Sequence, residues 1–180
     1  MKVVSETVLR LGVVVERREI DNRWQDYSWR SIAVIPNAPE TEGWKALHSG
    51  ENWVQYHART LELELFKRET LGYKVNLAMP TPSVFVVLRP GEERGEEEVE
   101  PFLLTVCPYE AESYIESGDE IVDGVPMPPE LEALLHDFVD THHVEEVFVK
   151  RKNKKAYDPS RGDFRRKPSD KPDGGGQDVH

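Results

Sequence analysis

Leu61, Leu63 and Leu65 alternate with Glu62 and Glu64, and no other feature constrains the fold of this chain so tightly. At a period of two, the leucines fall on one face and the carboxylates on the other; a helix would scatter them around its surface. The segment is a half-buried strand. A second alternation, Leu9, Leu11, Val13 and Val15 against Arg10, Gly12, Val14 and Glu16, opens the chain in the same way. Weaker signals of the same kind run through residues 29–35, 53–58, 73–79, 84–88 and 102–106. Between them stand breakers such as Pro36, Pro39, Pro80, Pro82, Pro90 and Gly91, whose missing amides and restricted backbone angles end strand pairing.

After residue 106 the period changes. Pro108 is placed to start a short helix over residues 109–115, with Gly118 as a left-handed stop. Leu131, Leu134, Leu135, Phe138, Val139 and His142 then recur at steps of three and four, which predicts a longer amphipathic helix over residues 129–142. Residues 144–149 read as a last extended segment. The expected fold is therefore α+β: a mainly antiparallel sheet, as a sandwich or partly open barrel, with one or two C-terminal helices packed on it.

Charge divides the chain. From Lys150 onward, ten Lys/Arg face five Asp, a net of +5, so the −11 of the whole chain places −16 on residues 1–149. The basic stretch holds few apolar residues beyond Ala156, Tyr157, Phe164 and Val179, too few to offset the entropy of ordering it. We expect one globular domain over residues 1–155 and a disordered basic tail over 156–180. The acidic body repels nucleic acid, and no nucleic-acid motif is present. No apolar run reaches the ~18 residues of a membrane span, and residues 1–12 lack the pattern of a signal peptide, so a cytoplasmic location is expected.

Candidate chemistry is sparse. Cys107 is the single cysteine, and within the apolar stretch 102–107 it reads as a small buried hydrophobe. Glu92, Glu93, Glu96, Glu97, Glu98 and Glu100 lack the fixed ligand positions of a calcium loop and read as a solvated hairpin. His142 and His143 are adjacent, so on a helix their rings diverge by about 100° and would not readily grip one ion. No nucleophile with a recognisable base appears, and no metal, cofactor or turnover is expected. Four tryptophans crowd the first third. Trp29 and Trp53 lie within strand patterns and are expected in the core, whereas the polar surroundings of Trp24 and Trp44 leave core and surface both open.

Several segments, taken in order, resemble a known family: Leu11-Gly-Val-Val-Val-Glu-Arg-Arg18, Trp24-Gln-Asp-Tyr-Ser-Trp29, Glu69-Thr-Leu-Gly-Tyr-Lys-Val-Asn-Leu77, Pro108-Tyr-Glu-Ala-Glu112, Val125-Pro-Met-Pro128 and His142-His-Val-Glu-Glu146. They look like a proteobacterial family of unknown function, often encoded beside molybdenum-dependent formate dehydrogenases and their maturation factors. The resemblance covers about residues 8–155. It implies no catalytic residue, and it implies a partner context: a non-catalytic accessory protein for such an enzyme. If the mode of action is protein contact, Trp24, Tyr27, Tyr109 and Arg151 are the candidate contact residues, because aromatic and arginine side chains dominate interface energetics. The alternative is a small-ligand or enzyme domain with a pocket joining Trp24, Asp26, Glu69, Tyr73 and Asn76.

The composition of the tail sets a first test. Truncation after Ala156 should leave the thermal midpoint nearly unchanged; a loss of several kcal/mol in unfolding free energy, on the scale of deleting core side chains, would show that the tail packs.

Overall fold

Alternation at period two becomes a pair of antiparallel sheets in the computed structural model, which describes residues 7–91 and 99–144. All of these lie in the first of the two units into which the chain divides, Met1–Val144. The acidic residues 92–98, the extended segment expected beyond Val144, Arg151 and the basic tail lie outside the described residues. In chain order the elements are β1 (Thr7–Glu19), β2 (Tyr27–Pro36), β3 (Lys45–Ser49), β4 (Trp53–Leu65), a 3-10 turn (Lys67–Glu69), α1 (Thr70–Leu77), β5 (Ser83–Pro90), β6 (Val99–Thr105), α2 (Pro108–Ser117), β7 (Ile121–Pro126) and α3 (Pro129–His142).

The first sheet has the order β2-β1-β4-β3 and the second β6-β5-β7, all antiparallel. Their apolar faces meet in one core. Leu11, Val13, Val15, Leu63 and Leu65 come from the first sheet, and Val84, Val86, Leu88, Leu104 and Val106 from the second. β4 packs on β6 and β2 on β7, so the assembly is an open sandwich. α3 adds Leu131, Leu135, Phe138 and Val139 to that core, while α2 packs on β5, β6 and β7. Both helices begin on the expected prolines, and Gly118 ends α2 in the left-handed region at φ 77°.

Bulges keep the apolar residues on one side. Ala58 is an extra residue in β4 between the partners of Val13 and Val14, so the signals at 53–58 and 61–66 belong to one continuous strand. Phe102 is likewise extra in β6, between the partners of Val87 and Leu88. It resets the alternation so that Val99 before it and Leu104 after it both face the core.

Because β2 and β3 are opposite edges of the first sheet, the segment between them has to cross its outer face. Asn37 starts the crossing at φ 55°, a region that asparagine tolerates better than other side chains. Ala38 then settles on Gly12, where an added Cβ would stand 2.7 Å from the Ala38 Cβ and 2.8 Å from His57 Nε2. Thr60 Oγ1 donates to the Pro39 carbonyl at 2.7 Å. The His57 Nε2 contact at 3.0 Å is therefore a donation from the ring, since the hydroxyl proton is already spent. Burial, with Lys45 adding to it, lowers the His57 pKa and keeps this neutral form.

Residues 73–79 were expected to form a strand, and the structure corrects this: residues 73–77 are helical within α1. The helix buries Thr70, Tyr73 and Asn76 at steps of three, and leaves Leu71 and Val75 exposed. Polar anchoring outweighs the apolar alternation. Asn76, fully buried, donates to the carbonyls of Ser83 at 2.7 Å and Val106 at 2.8 Å, and accepts the Ser83 N–H at 2.9 Å. One amide thereby ties α1 to the start of β5 and the end of β6. β7, set between the two later helices, and the short exposed β3 had no alternation strong enough to predict them.

Asn76→Ala would orphan three buried backbone groups, so unfolding in urea should show a loss of about 3 kcal/mol or more. A loss below about 1 kcal/mol would mean that water replaces the amide at little cost.

Candidate functional site

The β1–β2 loop presents its aromatic residue by local chemistry. Asn22 Oδ1 accepts the Trp24 N–H at 2.9 Å, an Asx turn, and the Ile20 N–H reaches the Asp26 carbonyl at 3.1 Å, closing the loop. Trp24 is held outward at 86% exposure. After it a chain of rings runs from Tyr27 to Trp29, Trp44 and Tyr56, with centroids 6.2, 5.4 and 5.4 Å apart. The Arg17 guanidinium lies 4.5 Å from the Tyr27 ring centroid and 5.5 Å from that of Tyr56, cation–π contacts that stiffen both tyrosines.

Beside this cluster a groove of about 400 Å³ opens between the start of β2 and the ends of the second sheet, lined among others by Tyr27, Trp29, Arg89, Asp119 and Ile121. Arg89 Nε bonds Glu100 Oε1 at 2.5 Å, and its guanidinium lies 4.7 Å from the Phe102 ring centroid. Trp29 is in the core as expected, Trp44 packs partly buried against it, and Trp53 is only half-buried.

The expected ligand pocket does not come together. Trp24 and Asp26 lie in the loop beyond Glu19, whereas Glu69, Tyr73 and Asn76 follow β4 at the other end of the same strand pair, where Leu65 faces Thr7. Roughly 40 Å of strand separates the two groups. Tyr73 and Asn76 are also committed inside. The Tyr73 hydroxyl donates to Glu69 Oε2 at 3.0 Å and accepts the Phe66 N–H at 2.9 Å, and burial pushes its phenol well above the ordinary range. Of the contact candidates, Trp24 is exposed in the loop three residues before half-buried Tyr27, Tyr109 is 55% exposed at the start of α2 beside Gly72 of α1, and Arg151 lies outside the described residues.

Near Tyr73, Thr105 Oγ1 donates to Glu110 Oε2 at 2.8 Å and accepts the Cys107 N–H at 3.1 Å. Burial raises the Cys107 thiol, which is the protonated, unreactive form. The Glu110 carboxyl is raised above its ordinary 4.5, by burial first and by Glu69 second, against the opposing Thr105 bond. The two adjacent histidines serve different neighbours: the His142 ring lies against Phe138 at 4.6 Å, and His143 Nδ1 meets Thr70 Oγ1 at 2.9 Å. Among the described residues no three His, Cys, Asp or Glu side chains gather to hold a metal ion, and no helix is long and apolar enough to cross a membrane.

Fold and surface together define an open antiparallel β sandwich with packed helices and an aromatic end. The chain belongs to the DUF3305 family, described as a protein of unknown function, whose model matches residues 10–152. No curated protein and no solved structure matches it.

The pairing of Trp44, Tyr56 and Arg17 was not read from the sequence. The crowding of tryptophans in the first third hinted at it, but the groove residues Arg89, Asp119 and Ile121 come from distant segments that carry no common signal.

The raised Glu110 pKa fixes the sign of a pH effect. Between its ordinary value and its folded value the native state binds the more protons, so this group's contribution falls as pH rises through that window. Glu110→Gln keeps an acceptor for Thr105 and removes the titration. Urea midpoints measured from about pH 4 to 7 should fall less steeply with pH in the variant than in the wild type; parallel profiles would contradict the assignment.

Proposed function

We propose that this protein is a non-catalytic accessory protein acting through protein contact, with a molybdenum-dependent formate dehydrogenase or one of its maturation factors as partner. The observation that carries the contact reading is Trp24. A large indole, carried on backbone held by an Asx turn and left 86% exposed, is the kind of anchor from which interfaces draw most of their energy. The neighbouring groove gives a partner side chain somewhere to insert, and the ring chain from Tyr27 onward limits the entropy lost on contact. The partner itself is supplied by the family resemblance of the segments quoted above. No cofactor of the protein's own enters this reading, and neither nucleic acid nor membrane is a partner.

The groove beside Tyr27 also supports a second reading, a small-ligand site, because its volume falls at the lower end of the range that such sites occupy. That site would use the aromatic end and not the pocket expected around Glu69, Tyr73 and Asn76.

Deleting the gene should lower formate dehydrogenase activity in the host, and complementation with Trp24→Ala should fail while the purified variant melts like the wild type. Full activity and normal cofactor content in the deletion strain, under conditions where the protein is expressed, would remove the accessory reading and put the ligand site first.

A further inference from the structure

We propose that the seam between β4 and β6 is a second contact surface, which receives an extended partner segment with basic residues at alternate positions and apolar residues between them. It lies at the opposite end of β1 from Trp24 and is independent of the accessory reading.

The seam has an unpaired edge. β3 pairs with β4 only as far as His57, so among the described residues the stretch from Ala58 to Leu65 has β1 on one side and no strand on the other. Among the described residues β6 pairs with β5 alone. The two edges lean together without a backbone ladder between them. On the other flank of the sandwich, Asp123 Oδ2 of β7 accepts the Ser31 N–H of β2 at 3.0 Å, and no bond of that kind joins β4 to β6 among the described residues. An unpaired edge is a template for another strand.

A groove of about 300 Å³ runs along this seam, with Leu61, Phe66 and Phe102 among its apolar lining and Glu62, Glu64 and Glu110 as carboxylates around them. Among the described residues no Lys or Arg lines it. Arg10 approaches Glu62 only at 3.9 Å, with both side chains more than half exposed, a pair worth little in water that an incoming cation can replace. Arg68 lies over the Phe66 ring at 5.3 Å, and its charge acts on Glu110, where it opposes the rise in that carboxyl's pKa.

The alternation in β4 sets the chemistry of the occupant. Glu62 and Glu64 stand two residues apart on the solvent face, about 6.6 Å along the strand, the same spacing as alternate side chains of any added strand. Lysine or arginine opposite them gives cross-strand ion pairs, and the intervening apolar residues turn toward Leu61 and Phe102. A second copy of this chain fits badly, because self-pairing would set glutamates against glutamates, which opposes edge-to-edge association.

The test titrates the full isotope-labelled chain with a synthetic peptide of alternating valine and lysine, following amide shifts by NMR. Binding should perturb residues 60–66, 102–104 and 110. The double variant Glu62→Lys/Glu64→Lys should bind about tenfold more weakly, while Glu19→Lys/Glu51→Lys, with equal charge change at the far end of the sheet, should bind as the wild type does. If the first double variant does not fold, Glu62→Gln/Glu64→Gln should show the same direction of loss. Absence of binding, equal binding of a valine and glutamate peptide, equal loss in the two double variants, or shifts confined to other residues would each overturn the proposal.

Discussion

Everything in this fold is hung on the pairing of β1 with β4, which runs, with one bulge at Ala58, from Thr7 opposite Leu65 to Arg18 opposite Trp53. β1 is the inner strand of its sheet, and from Leu11 to Glu16 it is buried on both faces. The inner face is apolar and meets the second sheet. On the outer face Ala38, in the crossing between β2 and β3, lies over Gly12. Glu16 is buried there too, at 6% exposure, and its two carboxylate oxygens meet Arg18 and Arg30, each at 3.2 Å. A buried carboxylate without those partners would be expelled or protonated; with them the outer face can end in charge.

The length of that pairing also separates the two surfaces. At one end the β1–β2 loop carries Trp24 and the aromatic chain; at the other, β4 runs into the 3-10 turn and α1, where the sheet gives way to helices. Side chains grouped in the sequence reading as one pocket are held apart by a rigid ladder. What replaces that pocket is two shallow surfaces of different character, one aromatic with a guanidinium between tyrosines, the other an edge, unpaired among the described residues, bordered by carboxylates. Both suit contact with extended or protruding partner groups better than enclosure of a ligand, since enclosure needs walls on several sides.

Interior polar groups decide the fine geometry. Asn76 fixes where α1 sits, Asp123 fastens β2 to β7 through the Ser31 N–H, and Tyr73 bridges Glu69 to the Phe66 amide. Each is satisfied by groups from distant parts of the chain or across a chain reversal. Burial raises the Asp123 carboxyl against the pull of Ser31 and Arg30, so that link is made at some electrostatic cost.

The sequence by itself determined the elements that bury one face at a regular period. The leucines at 61, 63 and 65, the opening alternation of β1, and the three-and-four spacing of α3 between Pro129 and His142 each carry a pattern set by a single strand or helix. The helical start at Pro108 and the stop at Gly118 were legible because they depend on one residue's backbone angles. The aromatic anchor was legible only as residue types, Trp24 and Tyr27, without the Arg17 contact or the groove. Residues 73–77 misled because the helix there is held by an asparagine and a tyrosine whose partners, at 66, 83 and 106, lie outside any local window. The bulges at Ala58 and Phe102, the crossing over Gly12 and the end of the β3 pairing at His57 were decided by tertiary structure alone, since each depends on which strand lies beside which, a long-range choice that no run of neighbouring residues encodes.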